Sequence, residues 1–285
     1  IIVVAGIHNN LRTQTQERVD EGFCGRNSDP NSKRRPIGVG TRKDYPHPVT
    51  ITNVNDDFNT RTASQSNWKI KDFTKPVVLV IKKNVTTLKQ LLKWLRDLNA
   101  DGQDQGISDV AMLLVDDEAD NASVNTAKED ADPTKTNELL RKILQLFHRS
   151  TYVGYTATPF ANIFINPEAY TKESLQELFP KDFIYSLDAP SHYFGPQKLF
   201  LDEAFGDRAL IAIDDAEEVI PLKHNKYLVL RTLPASLYRA INQFILVRAI
   251  RNLRGQGNQH CSMMVNVSRF TDVQRQVKDL VSVYV

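Results

Sequence analysis

The chain has 285 residues, 41% of them hydrophobic, with 36 basic and 34 acidic side chains and a net charge of +2. That length can bury one large core or two smaller ones, and near-neutrality means that any nucleic-acid contact has to be a local patch rather than a whole-chain field. Cys24 and Cys261 stand far apart without metal-ligand spacing, which excludes a disulfide framework and a zinc site. No apolar run approaches the roughly 18 residues of a membrane span and no signal peptide is visible, so the expectation is a cytoplasmic protein without a membrane partner.

Ile1 to Ala5 reads as a strand, and the chain opens inside it without Met, as an internal piece of a longer protein would. Gly6 to Asn10 lead into an amphipathic helix over Leu11 to Gly22, with Asn9 or Asn10 as N-cap. The polar edge of this helix carries Arg12, Thr13, Gln14, Gln16 and Arg18, suitable partners for phosphate oxygens, or equally an ordinary solvated face. Gly25 to Thr74 is polar and irregular, with basic clusters at Lys33-Arg34-Arg35 and Arg42-Lys43 and short strands near Pro48 to Val54. It reads as surface slightly more than as a nucleic-acid channel.

Pro76 to Ile81 is a β-branched strand, and from Thr86 a helix carries Leu88, Leu91, Leu92, Leu95 and Leu98 at helical spacing as a core stripe. Lys82-Lys83-Asn84 lies at the strand's carboxyl end, where a lysine can face phosphate. After a loop over Asp101 to Asp109, Met112 to Val115 reads as a buried strand that ends in Asp116-Asp117-Glu118-Ala119-Asp120. Parallel sheets bind ligands at that edge. An Asp there can hold Mg²⁺, which takes one or two carboxylates, and a neighbouring Glu can orient or deprotonate a water. The plain alternative is a solvated acidic loop. A polar loop over Asn121 to Asp132 and a helix over Thr136 to His148 then deliver an apolar strand, Tyr152 to Tyr155, into Thr156-Ala157-Thr158-Pro159.

Pro167, Pro180, Pro190 and Pro196 punctuate an aromatic-rich stretch to Phe205. From Pro234 a long helix runs through Leu237, Ile241, Phe244, Ile245, Val247 and Ile250 to Leu253 and closes at Gly255. Ser262 to Val267 reads as a further strand, followed by Ser268-Arg269-Phe270-Thr271 and a last helix. Alternating strands and helices with the candidate residues at strand ends predict an α/β fold with a RecA-like parallel sheet flanked by helices. The expected division is 1–166 as that lobe, 167–257 as a connecting region and 258–285 as the start of a second RecA-like lobe.

Asp117-Glu118-Ala119-Asp120 followed by Thr156-Ala157-Thr158-Pro159 resembles motifs II and III of superfamily 2 helicases. Together with Gly6-Ile7-His8-Asn9-Asn10-Leu11-Arg12-Thr13-Gln14, Gly154 to Asn162 and Val267-Ser268-Arg269-Phe270-Thr271, the pattern resembles the Z1 (Z-one) domain family of candidate endonucleases, helicase-like ATPases of restriction and phage-defence systems. The resemblance implies DNA as partner, Mg²⁺ and ATP as cofactors, and other defence-system subunits as associates. It implies Asp117 on the metal, Glu118 on the water, Thr156 and Thr158 as couplers, Asp120 as a further residue of the catalytic site, and His8, Asn9, Arg12, Thr13, Gln14, Ser268 and Arg269 on the nucleic acid.

No segment matches G-x-x-x-x-G-K-[ST], so the loop that cradles phosphate is expected outside these residues, and with no second-lobe arginine finger the isolated piece is expected to be inactive. No Asp-x-Lys or Glu-x-Lys occurs anywhere, which argues against the common metal-dependent nuclease core. Two readings remain: an ATP-hydrolysing DNA translocase or remodeller, and a non-catalytic DNA-binding or partner-docking module with any nuclease activity residing elsewhere.

Overall fold

Five parallel strands form one sheet in the order β2-β3-β1-β4-β5. They are β1 (Ile2–Ala5), β2 (Val49–Thr50), β3 (Val77–Lys82), β4 (Ile107–Asp117) and β5 (Phe147–Tyr155). This computed structural model describes residues 1–59, 69–100, 106–124, 134–166 and 177–285. The chain divides into two compact units, Ile1–Ser186 and Leu187–Val285.

In the first unit β1 lies at the centre, with Ile2 opposite Leu79 of β3 and opposite Leu114 of β4. Alternation sorts its side chains onto two faces. Ile2 and Val4 join Leu79, Ile81, Met112 and Leu114 in the larger core, and Val3 and Ala5 join Val78, Val80 and Cys24 in the smaller one. Both faces of β1 and β3 are therefore dry, as parallel strands require, and burial pushes the Cys24 thiol up to about 12.

The larger core is roofed by α2 (Val85–Asn99) and α3 (Lys135–Leu146). In α2, Leu88, Leu91, Leu92 and Leu95 recur at the spacing of one helical face and are all buried. Its first turn is fixed by Asn84, whose side chain accepts from Thr87 N at 2.8 Å. In α3, Leu139, Leu140 and Ile143 form the matching stripe.

Along the smaller core runs α1 (Asn9–Val19), followed by a wide turn over Asp20–Cys24 that Gly25 closes at φ 69°. The helix is capped by His8 without a side-chain bond, not by Asn9 or Asn10, because Asn9 is drawn to Lys82 Nζ at 2.8 Å instead. The predicted short strands near Pro48 to Val54 reduce to β2, and β4 starts at Ile107, well before the predicted Met112. Residues 101–105 of the expected Asp101 to Asp109 loop, and the Asn121 to Asp132 loop beyond residue 124, lie outside the described residues. The apolar strand expected over Tyr152 to Tyr155 is the end of β5, an edge strand with His148 to Thr151 and Tyr155 exposed.

The second unit contains α5 (Glu203–Ala209), α6 (Ala216–Val219), α7 (Ala235–Leu253) and α8 (Thr271–Tyr284), numbered after the short α4 (Phe160–Ile163) of the first unit. Ile220, Leu230, Leu233, Ile241, Val273 and Val277 form its core. Gln276 of α8 clamps the preceding loop, accepting from Leu230 N and donating to Leu228 O, each at 2.8 Å. The predicted stripe of α7 is split: Leu237 and Ile241 pack inward, whereas Ile245, Val247 and Ile250 are exposed. Residues 262–267 belong to no strand. Met263, Val265 and Val267 do alternate onto the core, but a ladder needs a neighbouring strand, and the described residues of this unit supply none.

The Leu91→Ala substitution empties a fully buried position in α2 and is expected to destabilise the first unit by about 2–5 kcal/mol, read as a lowered midpoint of its urea unfolding transition.

Candidate functional site at the carboxyl edge of the sheet

The acidic run leaves β4 at the carboxyl edge, where Asp117 is paired in register with Tyr155. Period-two alternation sends Asp116 to the face that carries Met112 and Leu114, and there it is completely buried. Its partner is Lys83, the residue just after β3, at 2.8 Å, with both side chains fully buried. Tyr152 of β5 donates its hydroxyl to the other Asp116 oxygen at 2.8 Å. Burial and the neighbouring carboxylate push the phenol far above its ordinary range.

The Lys83 ammonium also donates to three backbone carbonyls of the acidic turn, those of Asp117 and Glu118 at 2.8 Å and Asn121 at 3.1 Å. Three donors on one nitrogen thus hold a loop that has few backbone bonds of its own. Under this grip Glu118 adopts a left-handed conformation, φ 52°, which non-glycine residues enter at a cost. The Glu118 carboxylate stands over Gly6, at the end of β1. A methyl group on Gly6 would come within 2.9 Å of Glu118 Oε2 and 2.8 Å of Leu11 Cδ1, the ends of two flexible side chains, so a larger residue here would have to displace the Glu118 carboxylate. Asp117 is half-buried and turns one oxygen to its neighbour's amide, Glu118 N to Asp117 Oδ1 at 3.1 Å.

Beyond Glu118 the loop is stitched to the end of β5. Ala119 N donates to Tyr155 O at 2.9 Å, and Asn162 of α4 donates to Ala119 O at 3.1 Å. Asp120 then accepts two hydroxyl bonds, from Thr156 at 2.8 Å and Thr158 at 2.7 Å. The Thr158 bond is the largest influence holding the Asp120 carboxyl below the usual carboxylate range, and the Thr156 bond adds to it. Asp117, Glu118, Asp120, Thr156 and Thr158 are therefore brought to one edge of one sheet.

The other predicted residues fare differently. His8 and Gln14 are exposed, and Asn9 is tied to Lys82. Arg12 is a correction: instead of lying on a solvent edge it is buried, donating to the carbonyls of Asn53 and Val54 at 2.8 Å and Asp56 at 3.2 Å. Burial lowers its pKa, against the pull of Asp57, Asp56 and Asp20. Thr13 bonds the same loop through Val54 O at 3.1 Å. Gln16, also predicted on that edge, is buried against Asp20 and Thr52.

Ser268 and Arg269 lie in the second unit. His224 Nδ1 donates to the Pro221 carbonyl, which can only accept, at 2.6 Å, and its Nε2 lies 2.7 Å from the buried Ser268 hydroxyl. The Arg269 guanidinium is exposed and sits over the Phe270 ring at 4.9 Å.

Sequence reasoning missed Asp116, Tyr152 and the role of Lys83. The available signal was the doubled lysine at a strand end, since alternation turns one of two adjacent residues inward.

A family model described as the Z1 domain matches residues 236–285, which hold most of α7, the segment through Ser268 and Arg269, and α8. Comparison with curated proteins and with solved structures finds no match.

Lys83→Met leaves Asp116 buried without a counter-charge and is expected to cost about 3–5 kcal/mol; adding Asp116→Leu should recover much of that loss in the same denaturation assay. A lowered folded-state pKa stabilises the Asp120 contacts above the ordinary carboxylate pKa, and that contribution disappears as pH falls through the lowered value. Thr158→Val should therefore move the Asp120 titration upward, towards the usual range, in carboxyl ¹³C NMR.

Proposed function

We propose that the carboxyl edge of the sheet is the hydrolytic and coupling half of a DNA-dependent ATPase, a translocase or remodeller belonging to a restriction or phage-defence system. The observation that carries this reading is the double hydroxyl grip of Thr156 and Thr158 on Asp120. It joins the acidic turn to the end of the neighbouring strand, so a shift in one has to be felt by the other. The resemblance of both segments to helicase motifs II and III, and a RecA-like interpretation of the parallel sheet, agree with this. The Z1 match supports the defence-system context through the second unit alone.

The residues fit Mg²⁺ with nucleotide. Among the described residues no three His, Cys, Asp or Glu side chains are grouped to enclose a metal, and Mg²⁺ does not require such a cage, since it keeps several waters and takes one or two carboxylates together with substrate phosphate oxygens. Asp117 would hold it. When bound, the ion neutralises charge on the transferring phosphate. Glu118 is placed to orient a water and accept its proton, and its raised conformational energy is the kind of strain that functional positions store. Lys83 and Asp116 keep both acids in place from beneath the loop, and Asp120 passes a change at the nucleotide to the Thr156–Thr158 segment. His8, Gln14 and the first turn of α1 stand at the same edge and offer polar groups to a DNA backbone. The exposed Arg269 would add a contact from the second unit, whereas Ser268 is buried against His224 and orders the segment; nuclease chemistry is assigned to other domains or subunits.

Glu118→Gln in the full-length protein is expected to lower DNA-stimulated ATP hydrolysis by about a hundredfold or more while ATP binding, followed by fluorescent-nucleotide titration, persists. Unchanged turnover would sink the motor reading in favour of a non-catalytic module.

A further inference from the structure

Between Gly25 and Lys43 the chain carries six cationic side chains, Arg26, Lys33, Arg34, Arg35, Arg42 and Lys43, against a single carboxylate, Asp29. All six are exposed. None of them forms a side-chain hydrogen bond or ion pair with any described residue; scattered surface cations such as Lys71, Lys89 and Arg96 share that state, but only here do six lie within residues 26–43.

The segment is not a loose tail. Arg26 and Pro36 form an antiparallel bridge, and Asn27 N donates to Arg35 O at 3.0 Å, which makes residues 26–36 a tight hairpin. Its turn, Pro30–Ser32, is capped by Asp29, which accepts from Asn31 N at 3.0 Å. The Ser32 hydroxyl ties the turn back to the carbonyls of Asn27 at 3.1 Å and Asp29 at 2.7 Å. Directly after this turn Lys33 and Arg34 are both left-handed, at φ 53° and 52°. Glycine or asparagine enters that conformation most cheaply. Two consecutive long cations there mean that local stability is given up to hold positive charge at a defined place, and such outliers cluster at functional sites.

The hairpin is also fastened to the edge that carries the acids. Ser28 accepts from Val54 N at 3.1 Å, and the Val54 carbonyl in turn accepts from Arg12 and Thr13 in the first turns of α1, which begins where β1 ends. The buried Arg12 guanidinium thereby pins the loop on which the hairpin rests.

We propose that the hairpin of residues 26–36, with Lys33, Arg34 and Arg35 at its tip, is a sequence-independent contact for the phosphate backbone of duplex DNA. Fixed cations without internal partners are what a regularly spaced row of phosphates engages, each contact releasing condensed counterions. The inference rests on the DNA-dependent reading above and adds to it a duplex-holding element that is separate from the acidic turn.

The test compares the full-length protein with two variants of equal charge loss: Lys33→Asn/Arg34→Asn/Arg35→Gln, in which asparagine tolerates the left-handed backbone, and Lys89→Gln/Lys93→Gln/Arg96→Gln on the exposed side of α2. Binding of a fluorescein-labelled, random-sequence DNA duplex is measured by anisotropy across a salt series, and thermal melting verifies that each variant is folded. The hairpin variant should bind at least about tenfold more weakly at physiological salt, with the slope of log affinity against log salt reduced by about two to three; the α2 variant should match the unsubstituted protein. Equal losses in both variants, or no loss in the hairpin variant, overturn the proposal, as does a hairpin-dependent affinity for phosphatidylserine vesicles that exceeds the affinity for DNA. If the unsubstituted protein binds no duplex, both this proposal and the DNA-dependent reading fall; if the hairpin effect stands but hydrolysis ignores DNA, only the motor reading does.

Discussion

The buried ion pair between Lys83 and Asp116 is the constraint on which the rest of the carboxyl edge depends. Taking an ammonium and a carboxylate out of water costs several kcal/mol per ion, and a single ion pair seldom repays that. Here four acceptors, an Asp116 oxygen and the carbonyls of Asp117, Glu118 and Asn121, share the three N–H groups of the ammonium, so none of them is left unsatisfied. The carboxylate has a second donor in Tyr152. Such a network is tolerable only in one arrangement, because any partial opening strands a charge in a dry interior. That all-or-none character is what makes it a foundation for a turn whose own backbone offers little.

Three strands converge on this network: Lys83 follows β3, Asp116 is in β4 and Tyr152 is in β5. The order of the sheet places β1, with Gly6 at its end, between the lysine and the acids. The lysine therefore crosses beneath the β1 terminus, and Glu118 lies above it on the bare backbone of Gly6. One buried charge thus sets both the left-handed conformation of Glu118 and the exit path of the chain towards Asp120. From there the Thr156 and Thr158 hydroxyls carry the constraint to β5 and α4. Buried pairing below, strain in the middle and more exposed hydroxyl bonds above form a graded structure.

Much of this order was legible beforehand. Leu88, Leu91, Leu92 and Leu95 announce α2 by spacing alone, and the aliphatic runs at Val77 and Met112 announce buried parallel strands, because burial on both faces leaves no polar alternation. The acids at the end of β4 and the hydroxyls after β5 were likewise visible, since both follow apolar runs at positions where only a sheet edge can place polar groups. Arg12 misled because an arginine on a polar helix edge normally faces water, and only the 53–56 loop, brought over α1 by distant pairing of β2 with β3, turns it inward. Ser262 to Val267 misled because alternation signals which side chains face a core, not whether a neighbouring strand exists to complete a ladder. α7 misled because an apolar stripe specifies a face without supplying its partner.

By itself the sequence determined the α/β class, the buried strands, the helix stripes and the clustering of acids and hydroxyls at strand ends, since these follow from local periodicity and side-chain chemistry. Only the tertiary structure decided which of two adjacent lysines is buried, that Asp116 and not Asp117 is its partner, that Asp120 is held by two threonines just after the next strand, and that Lys33 and Arg34 stand in a strained hairpin without side-chain partners among the described residues. Those outcomes depend on contacts between residues far apart in the chain, where the free energy of a charge is set by the groups around it rather than by the residue type written in the sequence.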